Sequence, residues 1–298
     1  MTGRRMLFLV TLLALLGLAS CGDKKETEQT IRLGLDNTAE EAVIGEILAH
    51  VIENNTGLTV KITPDLAGGE TVMHPAMLKG DLDLYPEYTG TAWLAILKHT
   101  DIPPRQELQP KLFAEYRERF KIEWVGLYGF NNSYGLAVAG PVARKYDLKT
   151  YSDLARVADQ LSFRAESGFF EREDGFEGLC RTYGLRFKTA NDVAFSLKYN
   201  AIKDGQADVI NIFTTDGRLS ESDVVVLIDD KGYFPEYRCG TVVRQSVLDK
   251  HPKLKDALLV MDGLIDDTAM SSMNFKVESQ GREPGEVAKE FLTEKGLW

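Results

Sequence analysis

Histidine and cysteine are scarce in this sequence, with four of the first and three of the second. His50, His74, His99 and His251 are scattered without metal-ligand spacing, which argues against a structural zinc site. Catalytic signatures are missing as well: there is no Gly-x-Ser-x-Gly elbow, no His-Glu-x-x-His helix and no Walker loop. Carboxylate pairs such as Asp81/Asp83 alternate with an apolar period, as at a strand edge, and offer no acid/base geometry. An enzyme is therefore not expected, and no cofactor is implied. Basic clusters are absent too. The 35 lysines and arginines face 45 acids for a net charge of −10, a poor composition for binding nucleic acid. Beyond the first twenty residues no run approaches 18 apolar residues, so no membrane-spanning helix is predicted.

What is present begins at the N-terminus. Arg4 and Arg5 precede an apolar run from Met6 to Leu18, about 13 residues, too short for a bilayer core of roughly 30 Å. Such a run with a positive start reads as a secretory signal over residues 1–20. The junction Leu18-Ala19-Ser20-Cys21 resembles the lipobox of bacterial lipoproteins, which implies cleavage before Cys21 and a lipid on its thiol. Loss of residues 1–20 removes two arginines and no acid, so the net charge moves from −10 to −12. Residues 21–30 are polar and charged and read as a flexible tether. With Cys21 lipidated, Cys180 and Cys239 remain, either as a disulfide or as two thiols.

The body repeats one pattern. Ile31–Leu35 alternates as a strand, and Asp36-Asn37-Thr38 offers capping oxygens before a helix over 40–53 that places Val43, Ile44, Ile47, Leu48 and Val51 on one face. A strand over 58–63, a helix over 70–79 and a strand over 82–85 complete βαβαβ order, which predicts a parallel sheet flanked by helices. The middle of the chain predicts strands over 130–139, 161–165, 207–213 and 224–228. Helices are predicted from Ser152, as cap, and over 176–183 and 194–203; from Ser246 the chain is mostly helical. No long Pro/Gly/Ser linker separates the halves, so two α/β lobes with a cleft at their strand ends are expected.

Four segments put an aromatic residue beside polar turn residues at a strand end: 81–91, with Tyr88, Thr89 and Thr91 around Gly90; 129–138, with Asn131, Asn132 and Tyr134; 212–217, with Phe213; and 229–237, with Tyr237. One such aromatic is ordinarily core, but four of them in an exported chain point to a binding site. Tyr85 and Tyr233 read as packing residues, Arg172 as a member of an ion-pair cluster with Glu171, Glu173 and Asp174, and Asp216-Gly217 as a turn.

Asp-Leu-Tyr-Pro-Glu-Tyr-Thr-Gly-Thr (83–91), Phe-Asn-Asn-Ser-Tyr (130–134), Arg-Glu-Asp-Gly (172–175), Thr-Asp-Gly-Arg (215–218) and Asp-Asp-Lys-Gly-Tyr-Phe-Pro-Glu-Tyr (229–237) together resemble the glycine betaine/carnitine/choline-binding proteins of osmoprotectant ABC transporters. The resemblance runs from about Ile31 to Leu297. It implies an α/β, two-lobed type II periplasmic-binding-protein fold with an interlobe ligand cleft. Residues 31–130 plus 237–298 would form lobe I and residues 131–236 lobe II. The family's cage tyrosines fall on Tyr88, Tyr134 and Tyr237, and the remaining cage position falls on Phe213, where a tyrosine is usual. Its polar ligand contacts fall on Thr91 and Asn132, and Asp36 takes a place often held by glutamine.

The implied chemistry is coherent. A trimethylammonium cation has no N–H to donate, so aromatic faces must hold it, each contributing about 0.5–1 kcal/mol exposed and roughly 2 kcal/mol desolvated. Phe213 keeps the ring face and loses only the hydroxyl. Asp36 either lines the pocket, where its charge favours a ligand without a carboxylate such as choline, or merely caps the helix after it. The implied partners are a quaternary ammonium solute, ABC permease subunits and the membrane that holds the Cys21 lipid. The implied role is solute capture for an importer outside the cytoplasm. The alternatives are a larger betaine such as carnitine or ergothioneine, and a solute-sensing lipoprotein not coupled to transport.

Overall fold

The computed structural model describes residues 29–298 other than 67, 102, 173, 174, 195 and 196. The segment read as a signal peptide, Cys21 and all of the tether up to residue 28 lie outside the described residues. Strands β1 (Thr30–Gly34), β2 (Thr59–Thr63), β3 (Leu84–Tyr88) and β4 (Ile122–Asn131) enter one sheet. A second sheet holds β5 (Tyr134–Ala139), β6 (Ser162–Ala165), β7 (Thr189–Asp192), β8 (Val209–Phe213) and β9 (Val224–Val226). The chain then returns to the first through β10 (Arg238–Arg244).

The two sheets share one plan, ordered β2-β1-β3-β10-β4 and β7-β6-β8-β5-β9. In each, three neighbours run parallel, and the strand that follows is antiparallel to them. Parallel neighbours need helical crossovers, and the chain supplies them. The helix Ala39–Thr56 links β1 to β2; the Thr38 hydroxyl accepts from the Glu41 N–H at 3.1 Å at its start, and Gly57 ends it at φ 75°, a conformation glycine adopts without steric cost.

Both faces of the first sheet are buried, as a parallel sheet requires. Leu84 and Val243 pack under the helices Ala39–Thr56, Lys253–Leu259, Asp267–Glu278 and Pro284–Glu294. Their chain neighbours Tyr85 and Val242 join Met77, Trp93, Leu112, Tyr116 and Trp124 on the opposite face, following the two-residue period of a strand. The second sheet is likewise covered on both sides.

Several boundaries differ from expectation. The stretch read as one strand over 130–139 is two: β4 ends at Asn131 in the first sheet and β5 starts at Tyr134 in the second. The crossing falls at the polar residues Asn132 and Ser133, between two buried strands. β3 runs past Pro86 to Tyr88. Thr150, not Ser152, caps the helix Tyr151–Ala155, with Asp153 closing a capping box. The helix expected over 194–203 is Lys198–Lys203. The helix Arg105–Phe120 was not expected, although Leu108, Leu112 and Tyr116 form one buried face; the polar strand β7 carries too little apolar pattern to be read. Cys180 and Cys239 are both free thiols.

Asp83 is not a loose strand-edge acid. It is 4 % exposed, and its carboxylate accepts from Arg32 Nε at 2.9 Å and Nη2 at 2.7 Å and from Arg244 Nη2, clamping β1 and β10 beside β3. Burial alone would raise its pKa, but the bonds from Arg32 and Arg244 hold it below the ordinary carboxylate range. A carboxyl with a depressed folded-state pKa contributes stability at neutral pH and loses it as pH falls through that depressed value. Asp83→Asn is therefore expected to cost about 2 kcal/mol at pH 7, less than a fully buried pair because both arginines are partly exposed. Thermal melts should show the gap to wild type closing below about pH 4; a gap independent of pH would contradict this.

Candidate ligand site

The carboxyl ends of β1, β3 and β8, the β4–β5 crossing and the approach to β10 converge on one cavity of about 720 Å³. Such a crevice beyond parallel strand ends is where open α/β sheets bind ligands. All seven expected site residues line it: Asp36, Tyr88, Thr91, Asn132, Tyr134, Phe213 and Tyr237.

Strand register places the rings. Tyr134 opens β5 directly opposite Phe213, the last residue of β8, and their centroids stand 4.9 Å apart. Tyr237 meets Tyr134 edge-on at 5.9 Å and 84°. Gly90 lets Tyr237 come in: a Cβ there would stand 2.7 Å from the Tyr237 ring. The crossing segments are tied at the same place, since the Tyr237 N–H donates to Asn131 Oδ1 at 2.8 Å and the Asn132 N–H to the Tyr237 carbonyl at 3.1 Å. Tyr88 approaches from the end of β3, its hydroxyl donating to Glu40 Oε1 at 2.6 Å.

Asp36 follows β1 at the cavity wall. Its N–H donates to Glu41 Oε2 at 2.6 Å, and its Oδ1 accepts from the Asn37 N–H at 2.8 Å. The capping role left open for it belongs to Thr38. Arg172, read as a member of an ion-pair cluster, lines the cavity, its guanidinium 5.3 Å from the Tyr134 centroid. Glu173 and Asp174 lie outside the described residues. Asp216 caps its turn, accepting from the Arg218 N–H at 3.2 Å, and also reaches the cavity. Tyr85 is fully buried and donates to Glu87 Oε2 at 3.0 Å, and Tyr233 packs on Phe234, so both are packing residues.

The wall carries more acid than the sequence suggested. Glu40, Glu41, Glu70, Glu87 and Glu278 all line it. Burial, reinforced by nearby Glu70, pushes the Glu87 carboxyl up to about 8, and burial also raises Glu41, Glu70 and, to about 6, Glu278. Desolvation thus keeps part of this wall protonated at neutral pH. Behind Phe213 the fully buried Lys198 places Nζ 5.4 Å from the ring centroid, 3.8 Å from Glu166 and 3.9 Å from Asp216.

Glu40, Thr215 and Asn274 escaped the sequence reading. Glu40 looks like any first-turn helix acid. Asn274 did leave a signal, as a polar residue on the buried stripe of Met270, Met273 and Val277; its meaning required the fold.

Residues 29–294 match the family described as the substrate-binding domain of ABC-type glycine betaine transport systems. An ergothioneine transport permease/ergothioneine binding protein of Helicobacter pylori is 38 % identical over 271 residues; the match covers 91 % of this chain but only 48 % of that protein. A carnitine transport binding protein of Listeria monocytogenes is 35 % identical over 96 % of this chain and 94 % of its own length. Among solved structures, a glycine betaine/carnitine/choline ABC transporter protein superposes with a TM-score of 0.82 at 30 % identity, covering 90 % of this chain and 99 % of that one. The fold is that of the type II periplasmic binding proteins, and the chain belongs to the family of substrate-binding domains of ABC-type glycine betaine transport systems.

Proposed function

We propose that the cavity captures a quaternary ammonium solute, with Tyr88, Tyr134, Phe213 and Tyr237 as its cage and Thr91, Asn132 and Asp36 as polar contacts. As a member of its family, the chain is the substrate-binding component of an ABC importer and works with permease subunits. The observation that carries the reading is the convergence of four aromatic side chains from both sheets on one cavity wall. Desolvated ring faces contribute roughly 2 kcal/mol each, so four supply about 8 kcal/mol toward offsetting the cost of association, with the polar contacts adding to it.

Arg172 at the wall favours a ligand that carries a carboxylate beyond its ammonium, in line with relatives named for ergothioneine and carnitine. Asp36 supports a second reading, a carboxylate-free cation such as choline. Residues 31–130 plus 237–298 and residues 131–236 would act as two lobes that close on the solute, the closed form being the one the permease recognises. A lipid on Cys21 would hold the protein at the membrane, with residues 21–30 as tether. The site is for binding only, with no turnover.

Titration calorimetry with ergothioneine, carnitine, glycine betaine and choline tests the assignment. Tyr88→Ala and Tyr237→Ala are expected to weaken the best of these at least about tenfold while the fold persists by circular dichroism. Unchanged affinity in both would remove the cage. Arg172→Ala should weaken the carboxylated ligands about tenfold and leave choline within about threefold; the reverse order would favour the choline reading. In cells, Cys21→Ala should release the protein from the membrane fraction, and full retention would contradict the lipid anchor.

A further inference from the structure

All four cage rings line the cavity, and Tyr88 is held by a charged group whose other bonds span the molecule. Glu40 is 5 % exposed. Its Oε1 accepts from the Tyr88 hydroxyl at 2.6 Å and from Asn132 Nδ2 at 2.8 Å; its Oε2 accepts from the Thr215 hydroxyl at 2.7 Å and from Asn274 Nδ2 at 3.0 Å. All four partners donate, as suits an acceptor-only carboxylate. They come from four places: the end of β3, the β4–β5 crossing, the turn after β8, and the helix Asp267–Glu278. Asn274 Nδ2 also donates to the Thr215 carbonyl at 2.9 Å, which closes the ring of contacts.

We propose that Glu40 is a positioning residue of the cage, which sets the Tyr88 ring, ties both sheets to it and makes the site prefer a cation over a neutral solute of the same shape. The proposal rests on the cage reading above. Two physical effects support it. A phenol that donates to an anion gains electron density on its ring, which strengthens attraction for a cation over its face. The carboxylate itself adds a buried negative charge beside the cavity, where water screens it little.

Choline and its neutral isostere 3,3-dimethylbutan-1-ol separate these effects from simple packing. Calorimetry on the purified wild-type protein is expected to show a preference for choline of at least about tenfold. Glu40→Gln should weaken choline about tenfold and the isostere less than about threefold, while Glu40→Asp should weaken both and keep the preference. Equal losses on both probes in Glu40→Gln, or no loss, would overturn the proposal. Should Glu40→Gln not fold, Tyr88→Phe breaks only the hydroxyl contact: a choline preference reduced at least about threefold supports the proposal, and an unchanged preference overturns it. If the wild-type protein binds neither choline nor any betaine, the cage reading itself fails and this proposal with it.

Discussion

A buried carboxylate must find a donor for each of its lone pairs or the structure bears a desolvation cost of several kcal/mol. Glu40 finds its donors around both sheets, at the strand end Tyr88, the crossing residue Asn132, the turn residue Thr215 after β8 and the helix residue Asn274. Much of the arrangement around the cavity follows from satisfying that one group. The first turn of the helix Ala39–Thr56 has to point into the crevice, and Asn274 has to interrupt an apolar helix face. The turn at Thr215 has to lie against the helix Asp267–Glu278, where Gly217 allows contact: a Cβ there would stand 2.4 Å from the Phe275 backbone nitrogen.

A trimethylammonium group imposes the complementary constraint. It has no hydrogen to give, so directional bonds cannot hold it and ring faces must. Antiparallel register delivers two faces of the proposed cage at once, because Tyr134 and Phe213 are paired residues at the cleft end of β5 and β8. Gly90 admits a third, Tyr237. The fourth, Tyr88, depends on Glu40 for its orientation. Rigid strand ends and crossing segments thus carry the aromatic surface.

Much of this was legible in the sequence, and for identifiable reasons. Strand ends announce themselves by turn residues, so Tyr88, Asn132, Tyr134, Phe213 and Tyr237 could be picked out beside Pro86, Gly135, Gly217 and Pro235. The periodicity of Val43, Ile44, Ile47, Leu48 and Val51 gave a true helix face. Long-range polar pairing was not legible. Nothing local distinguishes Glu40 from Glu41, and the partners of Asp83 lie 51 and 161 residues away. The contact of Arg172 with Tyr134, 38 residues before it in the chain, was equally invisible locally. The crossing at Asn132-Ser133 was not read because nothing local tells a polar break within one strand from a passage between two sheets.

In the proposed binding mode, aromatic faces hold the ligand's cationic head. A crystal structure of the protein grown with carnitine tests it most directly. The trimethylammonium nitrogen is expected within about 6 Å of the ring centroids of Tyr88, Tyr134, Phe213 and Tyr237, with the carboxylate toward Arg172. A trimethylammonium group seated away from those rings, or a carboxylate lodged among them, would contradict it.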